Sequence, residues 1–281
     1  MKGEKHKMIG MTVRYDTVLG KPSNPGEEQL LSSYGGVEAM LRDLRGNGIE
    51  SMELSMLSLK KTGAEGAARA AKLLTNCDIH LTVHGLLEGI SGREHFDYFR
   101  DMYEIMMKKQ GEILLTVHSL ATRDETASCL ESFAAEAARR YPGTMRIALE
   151  NQRIHRWDGS EHHLRISSLQ ASLPDMDNVG MCWDFGHYGY NQLMERLPLD
   201  GVPVSDVLKR VIHTHIHSLK DLDTHHPLTE QPAGTYIKAL RSAGYSGVYN
   251  LELVTSRYYE TEGARQGTED SIRVLKHILN G

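Results

Sequence analysis

The sequence predicts an α/β protein with the (β/α)8 TIM-barrel fold, formed by residues 1–281 as a single domain. Strand-like and helix-like stretches alternate eight times along the chain, and eight such units in about 250 residues is the usual size of this barrel. The strand-like stretches are apolar at nearly every position, as expected for parallel strands buried on both faces. A doubly wound open sheet is the alternative fold. It would require a glycine-rich phosphate loop after an early strand, and the sequence contains no GxGxxG motif.

The first half of the chain is predicted to contain four strands, each followed by helix. The strands are MIGMTVRY (8–15), IESMEL (49–54), IHLTVH (79–84) and ILLTVH (113–118). Helices are expected around residues 37–44 and 64–74, and two capping boxes mark the starts of two more: Ser91 with Glu94, and Thr122 with Glu125. After the first box, helical spacing predicts a single buried helical face formed by Phe96, Phe99, Tyr103 and Met106.

The second half of the chain supplies the remaining four strands. They are MRIALEN (145–151), VGMCWD (179–184), VIHTHIH (211–217) and VYNLEL (248–253). A final amphipathic helix carries Ile272, Leu275 and Leu279.

Composition excludes several classes of protein. With 40% hydrophobic and 25% charged residues, the chain is typical of a soluble globular protein. No apolar run is long enough to span a membrane, and the N-terminus lacks the apolar segment of a signal peptide. The three cysteines form no CxxC pair, which favours a reducing, cytoplasmic location. A net charge of −5 without a basic run argues against broad nucleic-acid binding.

Histidine and carboxylate residues stand at the ends of six consecutive strands. They are, in order, His84, His118, Glu150, Asp184 with His187, His215 and Glu252. The carboxyl ends of the strands form the active-site face of such a barrel, and charged groups on buried strands are costly unless they are paired or coordinated. Imidazole and carboxylate together suit a divalent cation. The alternatives that involve no metal are a helix-capping role for Asp184 and a buried ion pair for Glu252.

The polar motifs resemble those of the xylose-isomerase-like TIM-barrel superfamily. This superfamily groups sugar and sugar-phosphate isomerases and epimerases with endonuclease IV. The matching motifs are ALEN, WDFGH, HTHIHS, DTH and NLEL. The resemblance implies a divalent metal (Mn, Co, Mg or Zn) held by Glu150, Asp184, His215 and Glu252, with His187 as a substrate contact.

Endonuclease IV has a larger, three-zinc site, and its additional ligands also have counterparts here. They match His84, His118, His187, Asp223 and His225. The surrounding loops differ, however. This chain has GLLEGISG, SLATRDE and QRIHRWDG where endonuclease IV has Ala-Pro-Tyr, Pro-Gly-Ser and Thr-Ala-Gly. The sequence therefore favours the isomerase branch. A zinc phosphodiesterase acting on abasic-site DNA is the alternative, and a sugar-binding or regulatory barrel without activity is a third interpretation.

Isomerisation or epimerisation requires removal of a proton next to a carbonyl. Glu150 and Glu252 are the candidate acid–base pair, and His187 is expected to contact a substrate oxygen or relay a proton. Trp157 is a candidate stacking residue, and Arg257 or Arg153 could bind a phosphate group. Of the histidines sharing the strand face with His215, one of His213 and His217 is expected to orient a ligand. The expected partner is a small sugar or sugar phosphate, not a membrane or nucleic acid, and a homo-oligomer remains an option.

Overall fold

A computed structural model of the chain describes residues 7–56, 62–156 and 158–281. Its ten strands are β1 Ile9–Arg14, β2 Ser51–Ser55, β3 His80–Gly85, β4 Ile113–His118, β5 Met145–Glu150, β6 Val179–Asp184, β7 Val211–Ile216, β8 Ser218–Lys220, β9 Asp223–His226 and β10 Tyr249–Leu251. Eight of them pair in parallel into a closed barrel in the order β1-β10-β7-β6-β5-β4-β3-β2. The predicted (β/α)8 barrel is thereby confirmed.

Helices follow the barrel strands along the chain. They are α1 Tyr15–Val18, α2 Pro25–Tyr34, α3 Val37–Gly46, α4 Ala64–Asn76, α5 Gly92–Tyr98, α6 Arg100–Gln110, α7 Arg123–Arg140, α8 Ile166–Leu169, α9 Phe185–Met194, α10 Ser205–Leu208, α11 Ala233–Ser242 and α12 Ala264–Asn280. Short 3-10 turns occupy His162–Leu164, Gln170–Ser172 and Thr255–Arg257. Within the described ranges, no helix has the length and apolar character needed to cross a membrane.

The predicted helix starts after the third and fourth strands are confirmed. Ser91 and Glu94 form a complete capping box at α5, and the Thr122 hydroxyl accepts the Glu125 amide at α7. The single helix expected after Ser91 is instead two helices, α5 and α6, with Phe99 between them in a non-helical conformation. Both helices still pack inward. The buried His95 ring contacts the Tyr103 hydroxyl at 2.7 Å and so ties α5 to α6 across the break.

The barrel interior changes from apolar to polar toward the carboxyl ends of the strands. Leu114, Ala148 and Cys182 form a small buried cluster separate from the main core. Because side chains on a strand alternate between faces, Ala148 and Cys182 lie on the same inward faces as Glu150 and Asp184, one inward position lower. The same layer also holds polar side chains, because Thr116 pairs with Ala148 and His213 pairs with Cys182. All four side chains are buried, and electrostatic interactions are weakly screened in such an interior.

An antiparallel hairpin, β8–β9, follows β7 and was not predicted from the sequence. Its two-residue turn contains Asp221 and Leu222, both with positive φ (51° and 67°), as in the primed turns typical of tight hairpins. The hairpin returns the chain to the carboxyl end of the barrel, so that His225 lies beside Glu252, immediately after β10.

Candidate metal centre

The four residues that the resemblance implies as metal ligands converge at the carboxyl end of the barrel. His215 Nδ1 lies 3.2 Å from Glu150 Oε2, 3.3 Å from Glu252 Oε2 and 3.9 Å from Asp184 Oδ2. The Glu150, Asp184 and His215 side chains are fully buried. Metal–ligand bonds of about 2.0–2.2 Å place neighbouring donor atoms roughly 3 to 4 Å apart. The spacing of these four side chains therefore suits a single divalent cation.

Several donor atoms in this group have no hydrogen-bond partner among the described residues. They are both carboxylate oxygens of Glu150, Oε2 of Glu252 and Nδ1 of His215. Burying a polar atom costs the free energy of its hydration, and without a hydrogen-bond partner nothing in the protein offsets this loss. A cation bound among these atoms would satisfy them together, so the residues fit a divalent metal on the chemistry of the donors as well as on their spacing.

Asp184 serves two elements at once. Its Oδ1 accepts the backbone amide of His187 and so caps the N-terminus of α9. Its Oδ2 lies 3.1 Å from His217 Nε2 and faces His215. The capping role and the ligand role expected from the sequence are therefore compatible, because each uses a different oxygen.

Two further histidines contact Glu150. His84 Nε2 and His118 Nε2 lie 3.1 and 3.3 Å from Glu150 Oε2, and their rings meet edge-on with centroids 4.7 Å apart. His84 also lies 3.9 Å from Glu252 Oε1. The nitrogens of His84 and His118 and an oxygen of Glu150 are close enough together to form a second potential metal-binding group.

His187 and His217 lie on the other side of the centre. His187 Nδ1 lies 3.2 Å from Glu150 Oε1 and 3.1 Å from the Asn151 carbonyl oxygen. His217 Nδ1 accepts the His225 backbone N–H at 2.8 Å, which leaves the proton on Nε2 for donation to Asp184. Both nitrogens of His217 are therefore engaged, and His217 orients Asp184 rather than offering a free lone pair.

The remaining predicted residues lie at the edge of the centre or outside it. His225 Nδ1 is 3.5 Å from Glu252 Oε2. Asp223 is half-exposed, and its two carboxylate oxygens bond His226 and Arg257. Arg257 also donates to the Thr224 carbonyl, and Arg153 lies over the Tyr190 ring, 5.8 Å from its centroid. Trp157 lies outside the described residues.

One buried residue of the centre, Glu53 on β2, was missed in the sequence. It is fully buried and lies 3.0 Å from His213 Nε2 and 2.9 Å from His215 Nε2. The signal was available, because Glu53 is the charged residue of an otherwise uncharged strand, SMELS. The prediction of the site used residues at the ends of strands, and Glu53 lies in the middle of its strand.

The ionisable side chains of the centre shift one another's pKa values. Burial opposes ionisation of Glu150, but the neighbouring His215 and His118 outweigh it and hold the Glu150 pKa well below its usual value. Burial would lower the pKa of His84 and His187, yet Glu150 raises that of His84 to about 9, and Asp184 with Glu150 raises that of His187 to about 9. Burial raises the pKa of Glu252. Without a cation, protons on these imidazoles balance the carboxylates.

A cavity of about 260 Å³ opens beside Glu252 at the same end of the barrel. Its lining includes Arg14, Asn24, Glu27, Ser55 and Thr255. Arg14 is bonded there to Asp16 and lies 3.5 Å from Glu27. The cavity therefore offers hydrogen-bond donors and acceptors next to the centre, in a volume suited to part of a small polar molecule.

Comparison with known proteins identifies relatives of the whole fold. The sequence profile of the family described as "Xylose isomerase-like TIM barrel" matches residues 41–278. A D-tagatose 3-epimerase-like protein superposes with a TM-score of 0.64 at 16% identity, covering 97% of each chain. A D-psicose 3-epimerase from Clostridium cellulolyticum H10, solved with D-tagatose, gives 0.59 at 12% identity, covering 97% of this chain and 99% of the other.

A third solved structure is similar at the same level. A sugar phosphate isomerase/epimerase from Parabacteroides distasonis gives a TM-score of 0.57 at 14% identity, covering 96% of this chain and 98% of the other. At these identities, the likeness to solved structures establishes the fold alone. No curated protein sequence matches the chain.

Proposed function

The chain belongs to the xylose isomerase-like TIM barrel family, and we propose that it is a divalent-metal-dependent isomerase or epimerase of a small sugar. The observation that carries this proposal is the convergence of three carboxylates on His215 Nδ1 at the carboxyl end of the barrel. Active sites of such barrels lie at this end. Similar solved structures include a D-tagatose 3-epimerase-like protein and a D-psicose 3-epimerase, which is consistent with a sugar substrate.

In this proposal, Glu150, Asp184, His215 and Glu252 hold the metal. A divalent cation supplies polarisation of a carbonyl group, which makes the neighbouring C–H bond more acidic. Glu150 and Glu252 provide the acid–base pair. His84 Nε2 lies within 4 Å of both (3.1 and 3.9 Å), so the two carboxylates face a common space. Their environments differ, because the pKa of Glu150 is lowered and that of Glu252 is raised. Such a difference suits one acceptor and one donor of protons.

His187 is proposed to bind a substrate oxygen. The Asn151 carbonyl oxygen lies 3.1 Å from Nδ1, and a carbonyl can only accept a hydrogen bond, so Nδ1 carries the proton. Nε2 of the same ring is then available to a ligand in the mouth of the barrel. This arrangement fixes both the ring orientation and its tautomer before substrate binds.

The proton-transfer step can be tested directly with isotopes. A panel of ketoses, aldoses and their phosphates would be incubated in heavy water with the protein and Mn²⁺ or Co²⁺. We expect one member to isomerise or epimerise and to gain deuterium at the carbon next to the carbonyl. Free sugars are the first choice, because Arg257 is already paired with Asp223.

Two controls separate the steps of this proposal. Glu150→Gln and Glu252→Gln should abolish the exchange, and their metal content must be measured because both residues are also proposed ligands. Turnover without deuterium uptake would contradict the proton transfer. Absence of turnover across the whole panel, with metal bound, would contradict the proposed function.

A phosphodiesterase acting on abasic-site DNA is the second candidate. The group formed by His84, His118 and Glu150 favours it, since it could hold an additional cation. Against it, Asp223, which matches a ligand of the three-zinc site of endonuclease IV, is engaged by Arg257 and His226. Metal-dependent nicking of a duplex that contains one abasic site would favour this candidate over the isomerase.

A further inference from the structure

Glu53 is a buried carboxylate beneath the proposed metal centre that the acid–base scheme does not use. It lies in the middle of β2 with no exposed surface. Side chains from four other barrel strands surround it: Thr12 on β1, Thr116 on β4, His213 and His215 on β7, and Asn250 on β10. A carboxylate in this position is costly to bury unless its oxygens are satisfied.

Both oxygens of Glu53 are engaged by donors. Oε1 accepts the Thr12 hydroxyl at 3.0 Å and faces His215 Nε2 at 2.9 Å. Oε2 accepts the Thr116 hydroxyl at 3.1 Å and bonds His213 Nε2 at 3.0 Å. Each oxygen thus contacts one of the two inward imidazoles of β7. Because the partners of the Glu53 carboxylate lie on β1, β4 and β7, its position is fixed by the closed barrel.

The two nitrogens of His215 face different surroundings. Nδ1 faces Glu150, Asp184 and Glu252, whereas Nε2 faces Glu53. The Nε2 contact is short, although its N–H direction is not aligned with Oε1. A neutral imidazole carries one proton, and only the other nitrogen can donate a lone pair to a metal. A proton kept on Nε2 leaves Nδ1 free to coordinate.

We propose that Glu53 is a positioning residue of the metal centre, which holds the proton of His215 on Nε2 and turns Nδ1 toward the three carboxylates. The inference rests on the proposed function in one respect, since it requires the centre to bind a divalent cation. Carboxylates that orient metal-bound imidazoles generally contribute about 10- to 100-fold to metal affinity.

An alternative is that Glu53, His213 and His215 themselves hold a cation, because their donor atoms lie close enough together. The contacts of Glu53 argue against this. The Thr12 and Thr116 hydroxyls and His213 already occupy its oxygens, and a cation would have to displace them. In the orienting role, every one of these contacts is kept.

The first test measures metal affinity by chelator competition with Zn²⁺ or Mn²⁺, using metal-stripped full-length protein. Glu53→Gln should bind the cation about 10- to 100-fold more weakly than the wild type. A glutamine is neutral and has one acceptor oxygen, so the proton on His215 Nε2 loses the negative charge beside it whichever imidazole keeps the oxygen. Thr116→Val is the matched control. It removes one buried hydrogen bond to the same carboxylate, and we expect a lower melting temperature with affinity within about threefold of the wild type, since the Glu53–His215 contact is retained.

The second test is spectroscopic, and its first part uses the wild-type protein alone. In Zn²⁺-loaded wild-type protein labelled with ¹⁵N-histidine, His215 should show a slowly exchanging Nε2–H and a metal-bound Nδ1. In Glu53→Gln, the Nε2–H should exchange faster. Coordination of His215 through Nε2 in the wild type would overturn the proposal, as would wild-type affinity in Glu53→Gln. Binding of two equivalents of metal to the wild type, with one of them lost in Glu53→Gln, would favour a cation held by Glu53 itself. That result would also overturn the proposed positioning role.

The outcomes distinguish this inference from the function on which it rests. If the wild type binds no divalent cation, the proposed metal-dependent function fails and the role of Glu53 fails with it. If the wild type binds the cation and Glu53→Gln binds it equally well, only the role of Glu53 fails.

Discussion

At the scale of single residues, Asp184 has a structural role as a helix cap and a proposed role as a metal ligand. Oδ1 caps α9 through the His187 amide, whereas Oδ2 faces His217 and His215. The capping contact places α9 directly after the strand. The same contact fixes the carboxylate so that its second oxygen points into the centre.

The two roles of Asp184 can be separated by a pair of substitutions. Asp184→Ala should lose about 0.5–2 kcal/mol of stability with the cap and should lose most of the metal affinity. Asp184→Asn should keep the cap, because asparagine is an equally good N-cap residue, yet bind metal far more weakly because the negative charge is gone. Thermal unfolding and chelator competition measure the two effects. Equal metal affinity in Asp184→Asn and wild type would contradict the ligand role.

Gly186, two residues later, is required by the His217 ring. A Cβ atom at this position would lie 1.8 Å from His217 Cε1, so Gly186→Ala must displace the ring and break its contact with Asp184. We expect a loss of about 1–3 kcal/mol in stability and weaker metal binding. Gly189→Ala on the same helix is the control, since its Cβ would meet two leucine side-chain ends, Leu219 Cδ1 at 3.0 Å and Leu199 Cδ2 at 3.7 Å. Unchanged metal affinity in Gly186→Ala would show that His217 does not support the centre.

At the scale of elements, the capping box of α5 fixes where the chain resumes a helix after β3. Ser91 and Glu94 satisfy two backbone amides reciprocally. Ser91→Ala should therefore cost about 0.5–2 kcal/mol, measured by denaturant unfolding. Metal affinity should not change, because none of the proposed ligands contacts this cap. Ser32→Ala, which removes an exposed hydroxyl from α2, serves as the neutral reference, and an equal loss in the two variants would contradict the capping role.

The β8–β9 hairpin decides which residues reach the centre after β7. It brings the His225 backbone amide to His217 and its ring to Glu252. It also turns Asp223 toward Arg257 and His226. Two residues of one Asp-Thr-His motif therefore face different surroundings. This separation is what makes the full three-zinc arrangement the less favoured interpretation.

At the scale of the whole molecule, the proposed metal should stabilise the folded barrel by linking several strands at its carboxyl end. Its four ligands come from β5, β6, β7 and the segment after β10. A ligand present at 100 times its Kd stabilises the folded state by about 2.7 kcal/mol, or roughly 5–10 °C in melting temperature for a chain of this size. Stripping the protein with a chelator should lower the melting temperature accordingly, and adding Mn²⁺ or Co²⁺ should restore it. A melting temperature indifferent to metal would contradict the centre.

The size of this stabilisation should depend on pH. The pKa of His84 and of His187 is raised to about 9, above the ordinary value of 6.5. In the metal-free protein these protonated imidazoles stabilise the fold below about pH 6.5, and that contribution is lost as the pH rises through about 9. His215, whose pKa is also raised, must release a proton to coordinate, so metal affinity rises with pH. The difference in melting temperature between loaded and stripped protein should therefore grow from pH 6.5 to 9. A constant difference would contradict this charge balance.

The sequence by itself determined the barrel and the set of polar residues at its carboxyl end. Both follow from local rules. Strand and helix patterns are short-range, and the ends of successive parallel strands necessarily meet at one edge. For this reason the strand-end residues could be grouped from the sequence: His84, His118, Glu150, Asp184 with His187, His215 and Glu252. The choice of Glu150, Asp184, His215 and Glu252 among them as the metal ligands came from the family resemblance.

The tertiary structure alone decided where the remaining polar side chains point. Glu53 meets His213 across 160 positions of sequence, a partnership that exists only once the barrel has closed. Asp223 and His225 are separated by the local conformation of the hairpin, and the break at Phe99 leaves the helical spacing of its neighbours unaltered. Side-chain direction at such positions is set by packing and hydrogen bonds between distant segments, and no periodicity along the chain encodes those contacts.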